Sequence, residues 1–155
     1  MTQAAGATAS HDDEIPPGYE LLRNQKGFSA HAGAMYVRKP RDGHSLAFGF
    51  RAQPHHLNQG GVVHGGMMVT FLDHALGVIV HGAAGRKPCS TITLDCSFVA
   101  PGKPGDWIEC TAQIGRVTSS LVFMEGKLTA NGRIIMQAKG IWKILDRWLG
   151  EKREA

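Results

Sequence analysis

Six residues in one short stretch are of types that together can do chemistry on a carbonyl: His56, Asn58, His64, Gly65, Gly66 and Asp73. His64-Gly65-Gly66 opens a run of helical periodicity. The first N–H groups of a helix have no internal partners, and the helix dipole makes that end positive. Glycine lets a ligand approach the backbone with no Cβ in the way. Such an end can polarise a carbonyl oxygen and stabilise the oxyanion that forms on attack. A Gly-Gly pair also serves simply as a tight turn into a helix. Asn58, in the loop before, has an amide that can donate to a carbonyl or hold a water; it can equally shape a turn. A histidine at a helix entry, such as His64, is by default structural, although it can contact a substrate.

Asp73 breaks a local rule. It sits mid-helix among Leu72, Ala75 and Leu76. Aspartate is a poor helix former, and a buried carboxylate is costly unless it is paired or used. Violations of this kind mark functional sites; a bond to a neighbouring loop is the structural alternative. Asp73 follows Gly65 by eight positions, about 12 Å along a helix axis. One helix therefore cannot bring its own Gly65 N–H and its own Asp73 to one small atom. A symmetric partner can supply the second group, which predicts a site at a dimer interface.

The elements that must position these groups follow from periodicity. Apolar residues recur at Met67, Met68, Phe71, Leu72, Ala75, Leu76, Ile79 and Val80, which predicts a helix over 65–83. Val69 and Val78 extend its apolar character, so the helix is expected to be buried; Gly82 and Gly85 stop it. Before it, 35–38 and 45–51 read as a hairpin around Pro40-Arg41-Asp42-Gly43, and 53–63 as a loop. Residues 19–26 read as a short helix or turn after Pro16-Pro17-Gly18. After the helix come four strands, 90–99, 107–115, 121–130 and 133–144. Pro101 to Gly105 breaks the first pair, and Asn131-Gly132 is a two-residue hairpin signal. A four-strand meander is expected, giving an α+β fold in which an antiparallel sheet wraps one long helix. Residues 1–14 read as a mobile tail, 15–145 as one domain and 146–155 as a charged tail.

Composition narrows the function classes. The 155 residues suit one domain with one core. A formal net charge of +4 and a pI near 9.2 suit a polyanionic ligand such as a nucleotide, or simply a soluble surface. The basic residues are scattered with no reader motif, which argues against nucleic acid. Cys89, Cys96 and Cys110 form no C-x-x-C pair, so neither a metal site nor a disulfide framework follows. His55, His56, His74 and His81 lack ligand spacing, so no metal and no cofactor is expected. With no basic-apolar leader and no apolar run read as spanning a membrane, the expected compartment is the cytosol.

With His56-x-Asn58, His64-Gly65-Gly66 and Asp73 at these spacings, and Phe98-Val99-Ala100-Pro101-Gly102 after them, the chain resembles the hotdog-fold acyl-CoA thioesterases, especially the phenylacetate-pathway branch. The resemblance covers 19–144 in element order. It implies that Gly65 N–H polarises the thioester carbonyl with Asn58 assisting, and that Asp73 of the other subunit attacks or activates water. It places Thr91, with Ser90 adjacent, where a hydroxyl orients the carboxylate; His64 shapes the loop. Gly66, Met67 and Ser90 are candidates for substrate binding. Arg116, Lys103 and Lys143 are candidates for coenzyme A on charge alone. A homodimer with shared sites, and a dimer of dimers, are implied. The rivals are a hotdog hydratase or dehydratase, in which His64 and Asp73 act on an enoyl or hydroxyacyl thioester, and an acyl-CoA-binding protein without turnover.

Overall fold

The structure is a computed structural model that describes residues 14–23, 25–40 and 46–147. Most of the expected N-terminal tail, the turn after Pro40 and the end of the C-terminal tail lie outside the described residues. The element order is β1 (Glu20–Leu21), α1 (Gly27–Ala32), β2 (Tyr36–Arg38), β3 (Ala47–Arg51), a 3₁₀ turn (Pro54–His56), α2 (Gly65–Ala83), β4 (Cys89–Phe98), β5 (Trp107–Val117), β6 (Leu121–Ala130) and β7 (Arg133–Ile144). The strands form one antiparallel sheet in the order β1-β2-β3-β5-β6-β7-β4, with α2 packed on one face. This is the hotdog arrangement.

Met68, Phe71, Leu72, Ala75, Leu76 and Val80 of α2 are buried, a spacing of three and four that makes one stripe. Phe71 meets Phe50 of β3 edge-on at 4.6 Å between ring centres. A Cβ on Gly126 of β6 would stand 2.9 Å from Leu76 Cδ2, so that glycine sets how closely helix and sheet approach. Burying each large apolar side chain contributes roughly 1.5–3 kcal/mol, so this stripe fixes α2 firmly. The expectation of a helix buried all round needs correction: Val69, Thr70, Asp73, His74 and Gly77 are only half-buried and Val78 is exposed. By length and apolar content α2 also meets what a membrane span requires, contrary to the sequence reading; its apolar stripe instead packs on its own sheet.

Two further expectations are corrected. The last four strands are not a simple meander. β5, β6 and β7 are, with Asn131 and Gly132 at positive φ in the β6–β7 turn. β4, however, pairs with β7, from Cys89 opposite Ile144 to Phe98 opposite Met136, and β5 pairs with β3. The 99–106 link is no hairpin, because Pro101 and Pro104 offer no N–H. Its carbonyls at Gly102 and Asp106 instead accept from Val63 and Ala52 N–H, each at 2.9 Å, carrying the chain across the sheet end. β4 is left as a ten-residue edge strand. Where a short helix or turn was expected over 19–26, Glu20–Leu21 is a strand, and the helix follows at Gly27–Ala32. Six residues with no apolar period leave no helical signature.

His56, buried at 4% exposure, ties α1 to the loop before α2. Its Nδ1 accepts from Gln53 N–H at 3.0 Å and its Nε2 bonds Ala32 O at 2.8 Å, which fixes the neutral tautomer with the proton on Nε2. Its carbonyl accepts from His64 N–H at 2.8 Å. Gly33, at φ +121, leaves room for the ring, since a Cβ there would lie 3.0 Å from His56 Nε2. Burial pushes the His56 pKa down, against the bond to Ala32 that raises it; burial also lowers that of His74, opposed by the Asp73 charge. The unfolded chain therefore binds more protons than the folded one just below the ordinary histidine pKa of about 6.5, and stability falls as pH drops through that region. Urea unfolding midpoints should decline between pH 8 and pH 5.5, and His56→Asn, although less stable throughout, should show a shallower decline. An unchanged slope in His56→Asn would remove His56 from this account.

Candidate active site

The start of α2 carries one set of groups. His64 is its N-cap, and its Nδ1 accepts from Gly66 N–H at 2.8 Å. His64 O accepts from Met67 and Met68 N–H at 2.9 and 3.2 Å. Gly66 N–H is therefore satisfied, whereas Gly65 N–H has no partner among the described residues. A Cβ on Gly65 would lie 3.1 Å from the Phe98 ring, so the glycine keeps this donor open beside β4. Asn58 is exposed. Its Oδ1 accepts from Gly60 N–H at 2.8 Å and Val62 N–H at 3.4 Å, closing an Asx-type turn. Its Nδ2 is left as a donor with no partner among the described residues. The Leu57–Val63 bridge and the Val63–Gly102 bond hold this loop against the helix start.

Asp73 carries the other set. Thr91 Oγ1 donates to Asp73 Oδ1 at 2.8 Å, leaving Oδ2 for another partner. The register of β4 against β7 shifts between Thr91 and Thr93. A bulge of one residue resets the alternation of side chains, so Thr91 faces α2 although Leu94 and Cys96 beyond it also pack against the helix side. Asp73 is half-buried, not enclosed. Two clefts flank it. One, about 390 Å³, is bordered by Phe28 and Ser29 of α1 together with Val69 and Leu94. The other, about 350 Å³, is bordered by His81, Cys89 and Trp142. His74 touches both, and its Nδ1 lies 2.9 Å from Ser29 Oγ. Burial, then the Asp73 charge, raise the pKa of Cys89, so it stands as a thiol and not as a thiolate nucleophile.

The two sets do not meet within one chain: Asn58, His64, Gly65 and Gly66 border neither cleft. Met67 is half-buried against the core. Ser90 neighbours Thr91, and strand alternation turns it to the other face, opposite Lys143 on β7. Arg116 is exposed on β5 opposite Phe123. Lys103 lies in the loop whose Gly102 braces Val63, beside the helix start. A larger hollow of about 560 Å³ lies on the opposite sheet face, around Thr93, Asp95 and Lys139, and contains none of these residues. Among the described residues, no three His, Cys, Asp or Glu side chains group to hold a metal. Sequence reasoning missed Ser29 and Phe28, which sit on an element it misplaced, and weighed His74 only as a metal ligand; adjacency to Asp73 was the available signal.

Fold and site together define a hotdog protein with an open helix start and a hydroxyl-held carboxylate. Residues 60–135, just under half of the chain, match the model of the thioesterase superfamily. A Pseudomonas aeruginosa protein named as an esterase is 24% identical over 131 residues, 84% of this chain and 97% of that protein. A hypothetical thioesterase from Streptococcus pneumoniae, solved with coenzyme A, superposes with a TM-score of 0.65 at 21% identity over 73% of this chain and 90% of its own. The E. coli PaaI protein of the phenylacetic acid degradation operon gives 0.60 at 15% identity, over 66% and 73%.

The Thr91–Asp73 bond yields a prediction. A hydrogen bond to a charged group is worth about 1.5–3 kcal/mol, so Thr91→Val should lower kcat for thioester hydrolysis roughly tenfold to hundredfold. KM should change little, and Thr91→Ser should restore most of the rate. Equal kcat in Thr91→Val and wild type would show that the bond does not position the carboxylate.

Proposed function

We propose that this protein hydrolyses acyl-coenzyme A to a free acid and coenzyme A, as a homodimer in which each site is built from both chains. One observation carries the proposal: α2 bears an unpartnered N–H at Gly65 and a Thr91-held carboxylate at Asp73, too far apart to serve one bond in one chain. The free edge of β4 supports the pairing. Ile92, Phe98 and Val99, at its bulge and its end, are 54–56% exposed, and a long apolar edge is normally covered. Two β4 strands paired edge to edge would continue the sheet and set the two helices side by side. A dimer of two such dimers completes the assembly we propose.

In each site the thioester oxygen accepts from Gly65 N–H and Asn58 Nδ2 of one chain. Asp73 Oδ2 of the other chain takes a proton from water, and the hydroxide oxygen attacks the carbonyl carbon. The C=O electron pair moves onto the oxygen, where Gly65 N–H stabilises the charge. The tetrahedral adduct then collapses, the C–S bond breaks, and the Asp73 proton goes to the leaving thiolate. Coenzyme A bound to the Streptococcus relative and the net charge of +4 favour a coenzyme A thioester. The mainly apolar clefts beside Asp73 favour a small aryl or medium-chain acyl group.

General-base catalysis contributes about 10²–10⁴-fold. Asp73→Ala should therefore lower thiol release from acyl-coenzyme A by at least about a hundredfold, with the unfolding midpoint preserved. Undiminished thiol release by folded Asp73→Ala would contradict this function.

A further inference from the structure

We infer that α1 is the specificity wall of the site, and that Phe28 is the residue that selects apolar acyl tails long enough to reach it. The inference rests on the proposed acyl-coenzyme A hydrolysis and names the group that this site prefers.

α1 contributes no fully buried residue to the core. Ala32 packs against the core, and two polar bonds to histidines hold the helix besides: Ser29 Oγ to His74 Nδ1 at 2.9 Å, and Ala32 O to His56 Nε2 at 2.8 Å. A short helix fixed in this way, with its one large apolar side chain unused in folding, needs another reason for that side chain. Phe28 is 69% exposed, more than any other large apolar side chain among the described residues. It borders the same cleft as Asp73 and Thr91, opposite Val69 and Leu94. That cleft, at about 390 Å³, has the size of a small-molecule site. Its apolar walls begin at the carboxylate and end at the Phe28 ring. The cleft on the other side of Asp73 is bordered by His74, Gly77, Val78, His81, Cys89 and Trp142 and by no residue of α1.

A thioester carbonyl held near Asp73 can therefore send an apolar tail along Val69 and Leu94 onto Phe28. An acetyl group has only a methyl to lay along these walls; a hexanoyl group has four more methylenes. Covering a phenyl ring with an apolar tail is worth about tenfold in affinity or more.

Binding is read with the unreactive thioethers S-hexyl-coenzyme A and S-ethyl-coenzyme A by calorimetry, and turnover with hexanoyl- and acetyl-coenzyme A. Wild type should bind S-hexyl-coenzyme A more tightly than S-ethyl-coenzyme A. Phe28→Ala should shrink that ratio, and the corresponding kcat/KM ratio, about tenfold, while Phe28→Leu should keep most of it. Equal weakening of both thioethers in Phe28→Ala, or an unchanged ratio, would overturn the inference. So would a wild type that does not distinguish the two. If wild type binds S-hexyl-coenzyme A through Phe28 but releases no thiol from hexanoyl-coenzyme A, the hydrolytic reading fails and the role of Phe28 stands.

Discussion

A straight helix rises about 1.5 Å per residue, and the rest of the site depends on that fixed distance. Gly65 N–H and the Asp73 carboxylate are attached to one rigid rod, eight positions apart. The apolar stripe from Met68 to Val80 locks the rod to the sheet, so bending cannot bring the two groups together. In the proposed mechanism each chain alone has an electrophilic end lacking a base and a base lacking an electrophilic end. The two-fold dimer we propose would resolve this with no new residues, since the same pair of groups is used twice.

The sheet topology serves the same arrangement. Because the 99–106 link crosses the sheet end, β4 lies at the edge and not between β3 and β5. From there it supplies Thr91 to Asp73 and sets Phe98 against Gly65, and its outer edge is left unpaired among the described residues. The bulge after Thr91 matters for the same reason. Without it, alternation would turn either Thr91 or Leu94 away from α2. Histidines do the local fastening: His64 caps α2, His56 joins α1 to the pre-helix loop, and His74 holds Ser29. None of these three roles needs a metal.

The helix and the β6–β7 hairpin were legible in the sequence because their signals are local. Apolar spacing over nineteen residues gives α2 its bounds at Gly65 and Ala83, and Asn131-Gly132 marks its own turn. The placement of β4 was not legible, because strand order depends on long-range pairing that no local pattern records. α1 was missed because six residues with one phenylalanine carry no period. Asp73 was legible as an oddity, a carboxylate among leucines. Its half-burial was not, since Val69 and Val78 made the helix read as apolar on every side while the described chain leaves that face uncovered. Ser90 and Thr91 are indistinguishable by type; only the β4–β7 register separates them.

Mixing two inactive chains tests the shared site most directly. Asp73→Ala lacks the base. Gly65→Pro lacks the N–H, yet proline suits the first position of a helix, and His64 before it is already extended at φ −61, ψ 133, as a residue preceding proline must be. In a mixed dimer one site has lost both groups and the other has both intact. Random exchange of the two chains should therefore restore about a quarter of the wild-type rate of thiol release. If mixed dimers verified by mass spectrometry regain no activity, each site belongs to a single chain and the account is wrong.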